Sequence, residues 1–114
     1  MVNDDPQPYF CLCVNANKYI EDTLPPIELF RKNNCLLVLG TDSLASNRSL
    51  NILDEIKTIR KNFPSIPLEE ILQWATINGA KALQMDSVLG SLKKGKKPGI
   101  VLINEENLSA KRLI

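Results

Sequence analysis

The residues best suited to chemistry stand in one short stretch, Gly40-Thr41-Asp42-Ser43, directly after the apolar run Cys35-Leu-Leu-Val-Leu-Gly40. An unbroken apolar run is what a strand covered on both faces of a parallel sheet requires. In proteins built on such strands, ligands bind beyond the carboxyl ends of the sheet. An aspartate there can ligate a divalent metal and take the proton from a metal-bound water. Asp42 equally suits a local role, capping the next segment or closing an Asx-turn, and the tetrapeptide leaves both open. The chain has no histidine among its 114 residues. Because histidine is the commonest metal ligand and the usual base near neutral pH, Ser–His, Cys–His and His–metal mechanisms are excluded within one chain.

The other reactive side chains read as structural. Cys11 and Cys13 alternate on a strand and so point to one face. Only Cys35 could join them, short of the four ligands of a structural zinc site, and packing as small apolar side chains is the expectation. Lys93, Lys94, Lys96 and Lys97 surround Gly95 with no aromatic residue interleaved for base stacking, which is a solvated turn. Trp74 adjoins the apolar stripe of its helix and reads as core. Glu55 has two readings, contact with the loop that carries Asp42 or an exposed helix carboxylate.

The elements that must position Asp42 follow from periodicity. Tyr9 to Val14 is a short apolar and aromatic run, predicted as a strand. Asn15 to Pro26 carries Asn, Asp, Thr and a Pro-Pro pair and reads as loop. Pro26 to Asn34 is predicted as a helix, and Cys35 to Gly40 as the principal strand. Ile52, Ile56, Ile59 and Phe63 mark an amphipathic helix over Ser49 to Phe63, stopped by Pro64. Pro67 with Glu69 and Glu70 opens another helix, whose stripe is Leu68, Ile71, Leu72 and Ala75. Asn78-Gly79 is expected to break it before a last turn at Ala80 to Leu83. Val88 to Leu92 and Gly99 to Ile103 are predicted as strands around the lysine turn. The order is β-α-β-α-α-β-β, with a parallel crossover and a separate small terminal sheet.

Composition bounds the rest. With 14 Lys+Arg against 13 Asp+Glu, 44% hydrophobic and 24% charged residues, the chain is an ordinary globular one of a single domain. It is far below the roughly 250 residues of a complete (β/α)₈ barrel. A net charge of +1 argues against a phosphate-directed nucleic-acid binder. The apolar runs are too short for a bilayer, and no export signal opens the sequence, so a reducing, cytoplasmic setting is the default for the three cysteines.

Four segments, in order, carry a resemblance. Cys13-Val-Asn-Ala-Asn-Lys-Tyr-Ile20 is similar to the strand 7 segment C-P-x-S-N-x-x-(I/L) of the amidohydrolase superfamily, in its cytosine-deaminase-like and chlorohydrolase-like branch. Gly40 to Asn47, with the helix bearing Glu55, resembles strand 8 and its loop. Ala75-Thr-Ile-Asn-Gly-Ala-Lys-Ala-Leu83 looks like the helix leaving the barrel. Gly90-Ser-Leu-Lys-Lys-Gly-Lys-Lys97 with Ile100 to Asn104 resembles the return into a small β-sandwich. Val14 and Ala16 stand where the family has proline and serine, and Lys97-Pro98-Gly99 replaces its K-x-A-D run.

The resemblance implies an α/β fold, a partial (β/α) barrel holding the last two strand–helix units plus strands of the small sandwich. Residues 1–8 would form an arm, 9–87 the barrel portion and 88–114 the sandwich strands. It further implies a hydrolase acting on C–N or related bonds of heterocycles through a water activated by zinc or iron. Asp42 maps onto the strand 8 aspartate, as metal ligand and base, and Asn17 onto the asparagine at the active-site mouth, near substrate. The family's histidine ligands would precede Met1, so the chain alone is expected to be inactive and to hold no metal. The alternatives are a non-catalytic interaction or structural module and one half of a split enzyme. A two-stranded sheet with an open inner face further predicts a homo-oligomer, or pairing with a missing N-terminal barrel portion.

Overall fold

The computed structural model describes residues 7–114; all but the last two residues of the expected arm lie outside them. The first strand, β1 (Tyr9–Leu12), runs straight into helix α1 (Val14–Glu21), and α2 (Ile27–Lys32) leads to β2 (Leu36–Leu39). Helices α3 (Ile52–Asn62), α4 (Leu68–Ala75) and α5 (Ile77–Ala82) follow, then strands β3 (Val101–Ile103) and β4 (Ala110–Arg112). β1 and β2 pair in parallel with Tyr9 opposite Leu36 and Leu12 opposite Leu39. β3 and β4 form a separate antiparallel pair. The parallel pair, the four helices that follow the predicted ones and β3 all stand close to where periodicity places them.

Three segments differ from expectation, each for a local reason. Residues 14–21 are helix, not the end of a strand and a loop. Val14 and Ala16 are buried, and the polar Asn15 is satisfied by the α3 helix rather than by a turn. Its Nδ2 donates to the Asp54 carbonyl at 3.3 Å and its Oδ1 accepts from the Thr58 hydroxyl at 2.5 Å. Tertiary partners thereby override weak helix propensity. The break between α4 and α5 falls at Thr76 (φ −123°, ψ −90°), leaving Asn78 and Gly79 inside α5. Asn78 is held there by donating to the Leu37 carbonyl of β2 at 2.9 Å. Val88 to Leu92 is not a strand but a run of turns. Gly90 has φ +93°, and a Cβ there would lie 2.7 Å from that of Ala80, so this backbone packs tightly on α5 instead of pairing. The partner of β3 is the exposed Ala110–Arg112, which carries no apolar alternation to betray it.

The core gathers Leu12, Val14, Ile27, Leu37, Leu53, Ile56, Ile59, Ile66, Ile71 and Trp74. The face of the parallel pair is less open than expected. Leu37 and Val38, whose side chains leave β2 on opposite faces, are 2% and 8% exposed, and among β1 residues only Phe10 and Cys11 are exposed. Phe10 stacks on Phe30 of α2 with ring centroids 5.2 Å apart. Arg31 of α2 clasps Glu70 of α4 through two bonds of 2.6 and 2.7 Å, a bidentate geometry that fixes one helix against the other. It holds the Glu70 carboxyl below its ordinary range.

Candidate active site

Asp42 lies three residues past the last residue of β2 Leu36–Leu39, on the carboxyl side of the parallel pair. Its backbone is left-handed at φ +61°, a conformation that aspartate tolerates better than most side chains. The Ser46 hydroxyl donates to Asp42 Oδ2 at 2.8 Å, closing a tight loop, and Ser46 is 7% exposed while Asp42 is exposed. The local role and the outward-facing carboxylate are therefore combined in one residue.

The loop rests on a buried support. Asn47 Nδ2 donates both to the Thr41 carbonyl at 3.0 Å and to Glu55 Oε1 at 3.2 Å. Of the two readings of Glu55, contact with the loop is the observed one, since the residue is wholly buried (0% exposed) and its Oε2 has no hydrogen-bond partner. Burial pushes its carboxyl above the ordinary value, with the neighbouring Asn15 backbone amide and the Asn47 side chain opposing. The signal was present in the sequence. Glu55 sits between Ile52, Ile56 and Ile59 at spacings of three, one and four, inside the apolar stripe. Asn51 starts this helix by accepting from the Leu53 amide at 3.0 Å, an ordinary N-cap.

A cavity of about 510 Å³ opens beside Asp42, lined also by Cys11, Cys13, Asn17, Phe10 and Phe30. Asn17, from α1, and Asp42, from the loop after β2, thus line the same cavity, although the Asn17 side-chain amide is engaged with the Thr23 carbonyl at 2.7 Å. The two sulfurs of Cys11 and Cys13 lie 4.0 Å apart. They occupy the space over Gly40, where a Cβ would come within 2.8 Å of Cys11 Sγ. Burial pushes the Cys13 thiol up to about 11, helped by the Cys11 thiol and the Asp42 charge and opposed by the Asp42 backbone amide.

The donor set of this chain does not by itself fit a metal ion. Among the described residues no three His, Cys, Asp or Glu side chains gather to hold one, whereas a catalytic zinc takes three protein ligands. Asp42 offers one carboxylate, already bonded to a hydroxyl. Its local worth is testable. Asp42→Ala should cost about 0.5–2 kcal/mol, as lost caps do, with the left-handed backbone adding to it. Asp42→Asn, which keeps an acceptor for Ser46 and tolerates the same φ, should move the denaturant midpoint little. Equal losses for both variants would mean that the charge itself holds the loop.

The profile of the Amidohydrolase family matches residues 3–112. The chain is 38% identical over 96 residues to a 5-methylthioadenosine/S-adenosylhomocysteine deaminase of Thermoanaerobacter pseudethanolicus, covering 78% of this chain and 22% of that protein. It is 33% identical, over the same shares, to a 5'-deoxyadenosine deaminase of Methanococcus maripaludis. Among solved structures, an adenosine deaminase from Xanthomonas campestris with bound zinc superposes with a TM-score of 0.71 at 24% identity, over 88% of this chain and 24% of that one. The chain therefore spans less than a quarter of the length of these relatives.

Proposed function

Because the chain belongs to the amidohydrolase family, we propose that it is the C-terminal part of a metal-dependent hydrolase that deaminates a heterocycle, an adenosine-type nucleoside foremost. The relatives' substrates motivate that choice. The observation that carries the reading is the cavity that Asp42 and Asn17 both line at the carboxyl ends of two parallel strands. Asp42 is assigned as one metal ligand and as base, and Asn17 as a neighbour of the substrate. The remaining ligands come from outside this histidine-free sequence, and the chain by itself neither holds the metal nor turns over.

The test has two arms. Zinc titrated into the chain should show no stoichiometric tight site; one that vanishes in Asp42→Ala would overturn the assignment of the missing ligands. Reading the DNA upstream of Met1 separates the remaining alternatives. An in-frame barrel with an H-x-H motif supports a single enzyme. A separate neighbouring barrel gene supports a split one, and neither supports a non-catalytic module.

A complement is also proposed for the parallel pair. β1 and β2 are joined only to each other among the described residues, and a lone two-stranded sheet is marginal in water. Unpaired edges recruit another chain, so the barrel portion, or a second copy in its absence, should pair there. Sedimentation at micromolar concentration should show the chain alone as a dimer or larger; a compact monomer with a cooperative melt would refute it.

A further inference from the structure

We propose that Cys11 and Cys13 form a reversible oxidation site, closing to an intrachain disulfide by exchange with a small disulfide of the glutathione type. Both are free thiols, with sulfurs 4.0 Å apart over Gly40. Cys11 is exposed and Cys13 half-buried, and both line the cavity that holds Asp42.

Geometry permits closure without breaking the sheet. Even fully extended strand backbone separates residues two apart by only about 6.6 Å, within the range of up to about 6.8 Å that a disulfide spans between Cα atoms. Cys13 lies just past the last paired residue of β1, Leu12 opposite Leu39, with φ −113° and ψ 72°. Cys13 is thus outside the ladder, and its carbonyl accepts from the Asn17 amide at 2.8 Å at the start of α1. Cys35 is out of reach. Cys11 stands opposite Val38, three residues along β2 from Cys35, a distance of about 10 Å.

The exchange balances. The exposed Cys11 thiolate attacks one sulfur of the external disulfide and displaces one small thiolate, leaving a mixed disulfide on Cys11. The Cys13 thiol, after losing its proton, attacks Cys11 Sγ and displaces the second. Two cysteine thiols are oxidised to one disulfide, the external disulfide is reduced to two thiols, and those thiols take up the two protons. The product draws Cys13 Sγ toward Cys11, in the cavity that Asp42 also lines, and so changes the shape of that cavity. The site stands on the sulfur geometry and does not depend on the proposed deamination.

Incubating the full chain with oxidised glutathione, then alkylating and mapping peptides without reduction, tests it. Free thiols should fall from three to one, the peptide bearing Cys11 and Cys13 should lose two hydrogens, and alkylation should remain only at Cys35. Dithiothreitol should restore all three. Cys13→Ser should stop at a glutathione adduct on Cys11. Should that variant fail to fold, the wild-type map decides alone. A wild-type chain that stops at the Cys11 adduct, bridges Cys35, or links only between chains overturns the proposal.

Discussion

Replacing Glu55 by alanine is expected to lower the unfolding free energy by about 2–4 kcal/mol, and replacing it by glutamine by well under half of that. Alanine removes buried methylenes and leaves a cavity, and it strips the half-buried Asn47 of one of its two acceptors. Glutamine keeps the shape and keeps an oxygen for Asn47 Nδ2, which lies 3.2 Å from Glu55 Oε1. The pH dependence has a definite sign. The folded carboxyl binds its proton more tightly than the unfolded one, whose ordinary value is 4.5. Between that value and the raised folded one, the native state holds more protons than the unfolded state. Stability from this group is therefore full below 4.5 and is lost as pH rises through the folded value. The urea midpoint of wild type, followed from acid to neutral pH, should fall relative to that of Glu55→Gln, because the variant lacks this loss. Parallel curves would mean that Glu55 titrates as an ordinary carboxylate.

Ile59→Ala should cost about 2–5 kcal/mol, and Ile59→Val about 1 kcal/mol, by the usual sum of lost transfer energy and residual cavity. Ile59 is 0% exposed and lies one turn beyond Glu55 on the face of α3 that enters the core. Domains have only about 5–15 kcal/mol in total, so the alanine variant should be partly unfolded at physiological temperature. Leu44→Ala, at a residue 66% exposed in the Asp42 loop, serves as control and should stay within about 0.5 kcal/mol. A midpoint for Ile59→Ala equal to that control would place the core elsewhere.

What was legible in the sequence tracks what burial alone determines. The run Cys35 to Gly40 and the stripe of α3 are read correctly because their apolar periods are their reason for existing. Asp42 stands after a strand, as its place in the sequence suggests, and it lines one cavity with Asn17; the roles given to the two remain a proposal. The failures occur where polar contacts over long separations decide the backbone. Asn15 looks like a loop residue until Thr58 and Asp54 are beside it. Asn78 looks like a helix breaker until the Leu37 carbonyl takes its amide. Gly90 looks like a residue within a strand until its approach to Ala80 is known. β4 has no burial pattern, so only its pairing with β3 reveals it.

The polar ties between helices and sheet share one property, their span. Asn15 bonds to Asp54 across 39 residues and to Thr58 across 43, Arg31 to Glu70 across 39, and Asn78 to Leu37 across 41. During synthesis, β1, α1 and α2 therefore emerge well before these polar partners, with the β1–β2 ladder and the Phe10–Phe30 stack available early. The exposed stretch of chain is left with an unpaired strand edge and unsatisfied buried-type amides while α3 and α4 are still being made. Contacts this distant in sequence form slowly, and the waiting intermediate has the features that invite aggregation. Cutting the chain between β2 and α3 should therefore leave these four ties open, each with its two partners on different pieces.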